Sequence, residues 1–238
     1  MTALKTFRNS CLTTLLLGLL AAPLQATTIK ADDGEPLQPD TRHEKIGDLV
    51  SRFVQQSHYL HKSVNDNHAT LVLDRYIESL DRNRMYLLES DIEFFEQYRY
   101  EIDDMVRNDS LAPVFDMFSI YRTRVRERFE FALTQLETEP DLLLDEEYQF
   151  DRTEEPWATT SEELDQLWRK RVKNDVLNLA LTDKPWEETQ EVLTKRYTRY
   201  LKRMDQINSD DVFETFMNAF AHTLDPHSSY LSPRNADE

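Results

Sequence analysis

The sequence concentrates the side chains of nucleophilic and acid–base chemistry in one short stretch near its carboxyl end. Eight residues there hold two histidines, two serines and an aspartate: His222, Asp225, His227, Ser228 and Ser229. Serine hydrolases use these residue types, but their folds bring the side chains together beside an oxyanion hole. Here they crowd a proline-bounded turn, where a helix is expected to end. We therefore predict a connector in this stretch and no catalytic residue.

A second candidate is a group of histidines with the spacing of metal ligands. His58 and His61 lie one helical turn apart, and Asp66 and His68 follow shortly after. Two histidines and a carboxylate can bind zinc, but such sites need a tetrahedral ligand set. The break in the pattern at residues 65–67 leaves the position of a third ligand open. Ordinary interfacial histidines are the favoured interpretation, and no metal-binding or cofactor-binding residue is predicted.

Runs of carboxylates raise the possibility of calcium binding or acid–base catalysis. They lie in and around the segment 137–160, at Asp145, Glu146, Glu147, Glu154, Glu155, Glu162, Glu163 and Asp165. Calcium loops of the helix–loop–helix type need a central glycine among alternating oxygen ligands, and the segment has none. In a chain this acidic, such runs are typical of solvated faces.

The one basic cluster lies at residues 168–173, Trp-Arg-Lys-Arg-Val-Lys. On a helix, Trp168, Val172 and Asp175 share a side, whereas the basic side chains Arg169, Lys170 and Lys173 point elsewhere. An anion or partner site is one interpretation. The favoured one is a packed tryptophan whose basic neighbours face the acidic segments.

Composition narrows the function classes further. The 238 residues carry 28 Lys plus Arg against 45 Asp plus Glu, a formal net charge of −17. Nucleic-acid binding needs clustered cations that neutralise phosphates, so it is not expected. The three glycines are Gly18, Gly34 and Gly47. Without later glycines, the sequence excludes a phosphate-binding loop, a dinucleotide fingerprint and a nucleophile elbow, and it makes a large sheet unlikely.

The amino terminus has the pattern of an export signal. Lys5 and Arg8 precede a short apolar run from Cys11 to Ala22, and Ala26 offers a small residue for cleavage. The run is too short to span a bilayer, so residues 1–26 are predicted to be a signal peptide. Its removal takes away the single cysteine, which excludes disulfides and thiolate metal ligands. Residues 27–42 are predicted to be a flexible leader.

From residue 43 to 224 the apolar spacing is helical. The first stripe comprises Ile46, Leu49, Val50, Phe53 and Leu60, and the second Ala69, Val72, Leu73, Tyr76, Ile77 and Leu80. We predict an all-α fold, an irregular bundle of six or seven amphipathic helices. Residues 137–160 break the pattern and are predicted to be one long acidic crossing segment, in which a short strand is left open.

Three segments in order carry a family resemblance. They are LDRYIESLDRNRMYLLESDIEFFEQY at residues 73–98, Trp168–Asp175, and NAFAHTLDPHSSYLSPRN at residues 218–235. Together they resemble the N-terminal helical domain of the tail-specific (carboxyl-terminal processing) proteases of bacterial periplasms, over residues of about 44–238. The resemblance implies a periplasmic location.

The family is known for a helical domain followed by a PDZ domain and a protease domain with a Ser–Lys dyad. It cleaves proteins from disordered, apolar C-terminal tails and uses no metal. The sequence ends at Glu238, so residues 225–238 are expected to be a connector toward a missing PDZ–protease region. No residue here can inherit the dyad, and the chain is expected to be inactive alone.

In the family, the helical domain frames the substrate vault and can dock an adaptor lipoprotein. The leading prediction is therefore a non-catalytic scaffold for a PDZ–protease region, present as a split subunit or missing here, or for an adaptor. The runner-up is a stand-alone periplasmic adaptor or binding protein. No nucleic-acid partner and no membrane span are expected. Candidate docking and connector residues are Met217, Phe220, Leu224, Asp225, Pro226, His227, Tyr230 and Leu231, of which the apolar five are expected to be exposed, with ordinary intrachain packing as the alternative.

Overall fold

The computed structural model describes residues 37–57, 65–107, 111–225 and 227–233, and these residues form eight α-helices. Their bounds are α1 Thr41–Ser57, α2 Asp66–Asp81, α3 Glu89–Glu96, α4 Ile102–Arg107, α5 Ala112–Gln135, α6 Ser161–Ala180, α7 Trp186–Asp205 and α8 Ser209–Leu224. The described part of the chain contains no strand, so the predicted all-α class is confirmed. The predicted signal peptide and residues 27–36 of the leader lie outside the described residues.

The helix count exceeds the predicted six or seven because residues 89–107 form two short helices. Between α3 and α4 the backbone makes tight turns, in which Tyr98 and Glu101 each donate to the carbonyl three residues earlier. The apolar spacing continues across this break, and so periodicity alone does not reveal it. Among the described helices, none combines the length and the hydropathy that a bilayer-spanning helix requires.

The core forms where α2 packs along α8 and where α5 packs on α6 and α7. All six residues of the predicted α2 stripe are buried. The Tyr76 ring meets Phe216 of α8 edge-on, with centroids 5.5 Å apart. Its hydroxyl donates to the carbonyl of Val114 at 3.2 Å, so the one polar atom of this buried side chain is satisfied.

Helix α1 buries a different face from the predicted one. Leu49 and Phe53 are 66% and 62% exposed, while the buried residues among positions 41–54 of α1 are His43, Gly47, Ser51 and Val54. This face is mostly small, which lets α1 approach α4 closely: a Cβ on Gly47 would lie 3.4 Å from the carbonyl of Val106. The predicted α1 stripe is therefore wrong at Leu49 and Phe53, and Leu60 lies outside the described residues. The helix begins at Thr41, inside the predicted leader.

Among the described residues, two adopt the left-handed conformation that glycine usually supplies. Arg84 has φ 52° in the turn after α2, and Asp183 has φ 60° just after α6. The Arg84 guanidinium lies over the Trp157 ring at 5.2 Å and donates to the carbonyl of Glu155. These contacts offset the steric cost of positive φ at a residue with a side chain.

The acidic segment between α5 and α6 crosses the bundle without helix, as predicted. Its one β-type pairing among the described residues is an isolated parallel bridge between Leu88 and Ala158. There the Glu89 amide donates to the Ala158 carbonyl at 2.9 Å. A single bridge is too short to be the strand that the sequence left open. Leu143 within the segment is 95% exposed.

Candidate docking surface at the α8 connector and basic cluster of α6

Helix α8 ends at Leu224, and the chain turns sharply in the stretch that the sequence predicts as a connector. Asp225 has extended φ and ψ, and its carboxylate accepts hydrogen bonds from the His227 amide and the Ser228 hydroxyl, both at 3.1 Å. The Ser228 amide donates to the Asp225 carbonyl at 3.0 Å. An aspartate whose carboxylate accepts hydrogen bonds from the residues two and three positions later is typical of a turn. Pro226 lies outside the described residues.

The serines and histidines of this turn do not form a catalytic triad. Ser229 Oγ lies 3.5 Å from His222 Nε2, but the Asp225 carboxylate accepts hydrogen bonds from the His227 backbone amide and the Ser228 hydroxyl, which are turn contacts. A triad needs the histidine between the carboxylate and the nucleophile. Ser229 and His227 are also exposed, so this arrangement does not enclose a reacting group.

Beyond the turn, the chain runs back along α8 and is fastened to it. The Tyr230 amide donates to Asn218 Oδ1 at 2.8 Å, and the Ser232 amide donates to Glu214 Oε2 at 3.1 Å. The Tyr230 ring meets Phe213 edge-on at 5.3 Å. Two backbone hydrogen bonds and one ring contact therefore hold residues 230–232 in one path on the bundle.

Three of the five apolar docking candidates lie in the core. Met217, Phe220 and Leu224 are at most 6% exposed, because the apolar stripe of α8 faces α2. The expectation that they are exposed is wrong, and intrachain packing explains them. Tyr230 is half-buried, and Leu231 is 56% exposed. A docking role for the connector stays a prediction.

The histidine group divides between described and undescribed parts of the chain. His58 and His61 lie outside the described residues. His68 is buried in the first turn of α2, where its Nε2 lies 2.7 Å from the Thr223 hydroxyl and its ring meets Phe220 edge-on at 5.0 Å. This is an interfacial histidine between α2 and α8, in agreement with the favoured interpretation.

A cluster around a single histidine, His43, joins the start of α1 to the start of α8. The sequence did not predict this cluster. His43 is 1% exposed and stacks on Phe213 at 4.6 Å. The Asp40 amide donates to its Nδ1 at 3.2 Å, so Nε2 carries the hydrogen that reaches Asp210 at 2.7 Å. This hydrogen bond and the guanidinium of Arg42 lower the pKa of Asp210.

Asp40, His43 and Asp210 can bring three ligand atoms within 4.8 Å of one another. Arg42 also contacts the Asp210 carboxylate, and its positive charge opposes a cation at the same oxygen. The cluster is therefore an ionic clasp between two helix starts. No local pattern in the sequence could have revealed it, because Asp40 and Asp210 are far apart in the chain.

Two cations of the basic cluster of α6 pair with one carboxylate in the crossing segment. Arg169 and Lys173 both contact Glu146, with Lys173 Nζ 2.9 Å from Glu146 Oε2. Hydrogen bonds from these two cations lower the pKa of Glu146 to about 2. Trp168, which directly precedes Arg169, is fully buried. The favoured interpretation, a packed tryptophan with basic neighbours facing an acidic segment, matches this geometry.

Replacing Glu146 with glutamine is expected to reduce the dependence of unfolding on acidic pH. The pKa of Glu146 falls from its ordinary 4.5 to about 2 in the folded chain. The stability it contributes is therefore fully present above pH 4.5 and is lost as the pH falls through about 2. Thermal unfolding midpoints measured from neutral pH down to about 2 check this.

Glu147→Gln is the matched control, because this neighbouring glutamate is exposed. With this variant, the thermal unfolding midpoint should change with pH as steeply as it does in the unchanged chain. An equal loss of slope in both variants would contradict the assignment to Glu146.

Comparison with known proteins places this geometry in a family. The family model described as "Tail specific protease N-terminal domain" matches residues 50–234. The tail-specific protease of Haemophilus influenzae is 40% identical over 182 residues, which cover 76% of this chain and 26% of that protein. The chain thus spans about a quarter of the length of that curated relative. The family model covers the second half of α1, helices α2 to α8, the crossing segment and residues 225–234. The chain belongs to the tail-specific protease family through its N-terminal domain.

Proposed function

We propose that this chain is the non-catalytic helical part of a periplasmic tail-specific, serine-type protease. In this role it is a scaffold that docks a PDZ–protease region, in the same polypeptide or as a separate subunit, or an adaptor lipoprotein. Residues 225–238 are the connector toward that region. The protein substrates are those with apolar C-terminal tails, which the connected protease region cleaves.

The observation that carries this proposal is the fastening of the connector. The hydrogen bonds from Tyr230 to Asn218 and from Ser232 to Glu214 set the direction in which the chain leaves α8. Phe213, which contacts the Tyr230 ring, also stacks on His43 of the ionic clasp. A region attached through this connector therefore starts from a fixed position on the bundle, as a scaffold requires.

Exchange of this chain for the matching segment of the Haemophilus influenzae relative tests the proposal. The chimera is expected to degrade a reporter protein with an unstructured apolar C-terminal tail, whereas the chain alone is expected to leave the reporter intact. Asn218→Ala together with Tyr230→Ala should lower the chimera's activity, because the connector loses two of its contacts with α8.

Asn178→Ala, an exposed position on α6, is the matched control and should leave the activity of the chimera unchanged. A chimera that folds and reaches the periplasm but fails to degrade the reporter would contradict the scaffold role. Degradation by the chain alone would contradict the assignment of a non-catalytic part.

A further inference from the structure

An open cleft lies beside α6, on the side of Arg171. Its volume is about 460 Å³, and its walls come from three separate parts of the chain. The end of α2 and the turn after it form one wall, the crossing segment a second, and α6 the third. Its lining includes Asn83, Tyr86, Tyr148, Phe150, Arg171 and Asn174.

The positive charge of Arg171 lies against aromatic groups. Its guanidinium lies 4.2 Å from the centroid of the Trp168 ring and 5.9 Å from that of Phe129. The hydroxyl of Tyr86 interacts with it as well. Cation–π contacts of this kind stabilise a desolvated guanidinium without neutralising its charge.

Arg171 differs from its basic neighbours in the groups that surround its charge. Arg169 and Lys173 pair with Glu146, whereas no carboxylate of the described chain forms an ion pair with Arg171. Asp175 acts on this half-buried charge electrostatically but without a direct contact, so the cost of burying the guanidinium is only partly compensated. The fold thus holds at the cleft a guanidinium whose hydrogen-bonding fork matches a carboxylate.

The two carboxylates that line the cleft are engaged elsewhere. Asp81 accepts three backbone hydrogen bonds, from Met85, Tyr86 and Leu87, at 2.8, 2.8 and 2.9 Å. Asp175 accepts a hydrogen bond from the Tyr197 hydroxyl at 2.6 Å and reaches Arg171 only at longer range. Neither carboxylate takes the place of a ligand beside the guanidinium.

The rest of the cleft offers an apolar wall and amide groups. Phe150 is 68% exposed, and its ring meets Tyr148 edge-on at 4.9 Å. Asn83 reaches the carbonyl of Phe150 through a long contact of 3.4 Å, and Asn174 is half-buried on α6. An aromatic wall with a few polar groups is typical of small-ligand sites.

We propose that the Arg171 cleft binds a carboxylate that is carried on an aromatic or apolar group. The guanidinium pairs with the carboxylate, and the rings of Tyr148 and Phe150 cover the apolar part. Such a group occurs at the C-terminal residue of a polypeptide and in free aromatic acids. This site is separate from the connector, and its existence does not depend on the scaffold role.

Binding is tested with the full chain and the probe N-acetyl-L-phenylalanine. The matched control is N-acetyl-L-phenylalanine amide, which has the same ring but no carboxylate. Saturable shifts in the amide NMR signals of residues 83–86 and 171–175 are expected with the acid and at least tenfold weaker binding with the amide. Equal binding of both compounds, or no saturable binding of the acid, would overturn the proposal.

Two variant pairs locate the site. Asn174→Glu brings a negative charge to the cleft and should weaken binding of the acid at least tenfold, whereas Asn178→Glu, one turn further along α6 and exposed, should not. Arg171→Met keeps an apolar chain over Trp168 and should also lose binding, whereas Arg169→Met should keep it. If Asn174→Glu and Asn178→Glu change binding of the acid equally, the proposal is overturned. This comparison decides the matter even if Arg171→Met does not fold.

A decapeptide that ends in phenylalanine distinguishes the two sources of the carboxylate. Tighter binding of this peptide than of N-acetyl-L-phenylalanine, together with loss of binding on amidation, would assign the cleft to polypeptide C-termini. Tighter binding of the small acid would assign it to free aromatic acids.

Discussion

Replacing Trp168 with alanine is expected to lower the free energy of unfolding by about 3–5 kcal/mol. The indole is fully buried, and its Nε1 donates to the carbonyl of Met85 at 2.7 Å. Its ring also meets Phe129 edge-on at 5.0 Å and supports the guanidinium of Arg171. Truncation removes this packing, leaves a cavity and removes the hydrogen-bond donor of a buried carbonyl.

Urea unfolding followed by circular dichroism measures the Trp168 effect, with Trp186→Ala as the matched control. Trp186 is half-buried in the first turn of α7, so its truncation should cost less than half as much. A loss below about 1 kcal/mol for Trp168→Ala would contradict the central position of this side chain.

Replacing Asp81 with alanine is expected to cost about 3 kcal/mol or more, an unusually large effect for a polar residue. Asp81 is 3% exposed, and its carboxylate accepts the amide hydrogens of Met85, Tyr86 and Leu87. Each buried amide left without an acceptor costs about 1–3 kcal/mol. The same turn contains Arg84 at positive φ, so this acceptor also supports an unfavourable backbone conformation.

Asp104→Ala is the control for this second variant, because its carboxylate is 64% exposed. It should change the free energy of unfolding by less than about 0.5 kcal/mol. Asp81→Asn should fall between the two, since one oxygen remains to accept hydrogen bonds while the amide nitrogen cannot. Equal effects of Asp81→Ala and Asp104→Ala would contradict the assignment.

The burial of Trp168 can be predicted from the sequence, whereas the burial of Asp81 cannot. Trp168 stands in a helical pattern with Val172 and Asp175, so its packed position could be predicted from spacing. Asp81 stands at the end of a helix among other charged residues, and its local pattern is that of a solvated aspartate. Its burial follows only from the path of the chain after α2.

The candidate sites show the same division. The basic cluster at 168–173 is visible in the sequence, but its partner Glu146 and the special position of Arg171 are not. Arg169 and Arg171 have the same residue type and nearly the same neighbours, yet one pairs with a carboxylate and the other lies over Trp168. Which cation meets which partner depends on where the crossing segment lies.

The sequence by itself determined the class of the fold. Apolar spacing with a period of 3.6 residues, the small number of glycines and three segments that resemble a helical domain were enough to predict an all-α bundle. Helix formation is governed by neighbours within one or two turns, and such neighbours can be read from the sequence. Only the tertiary structure decided which face each helix buries. At α1 the small residues around Gly47 allow the close approach to α4, and so Leu49 and Phe53 remain outside the core. The ionic clasp and the Arg171 cleft also arise from residues far apart in sequence, whose meeting is a property of packing and not of any local pattern.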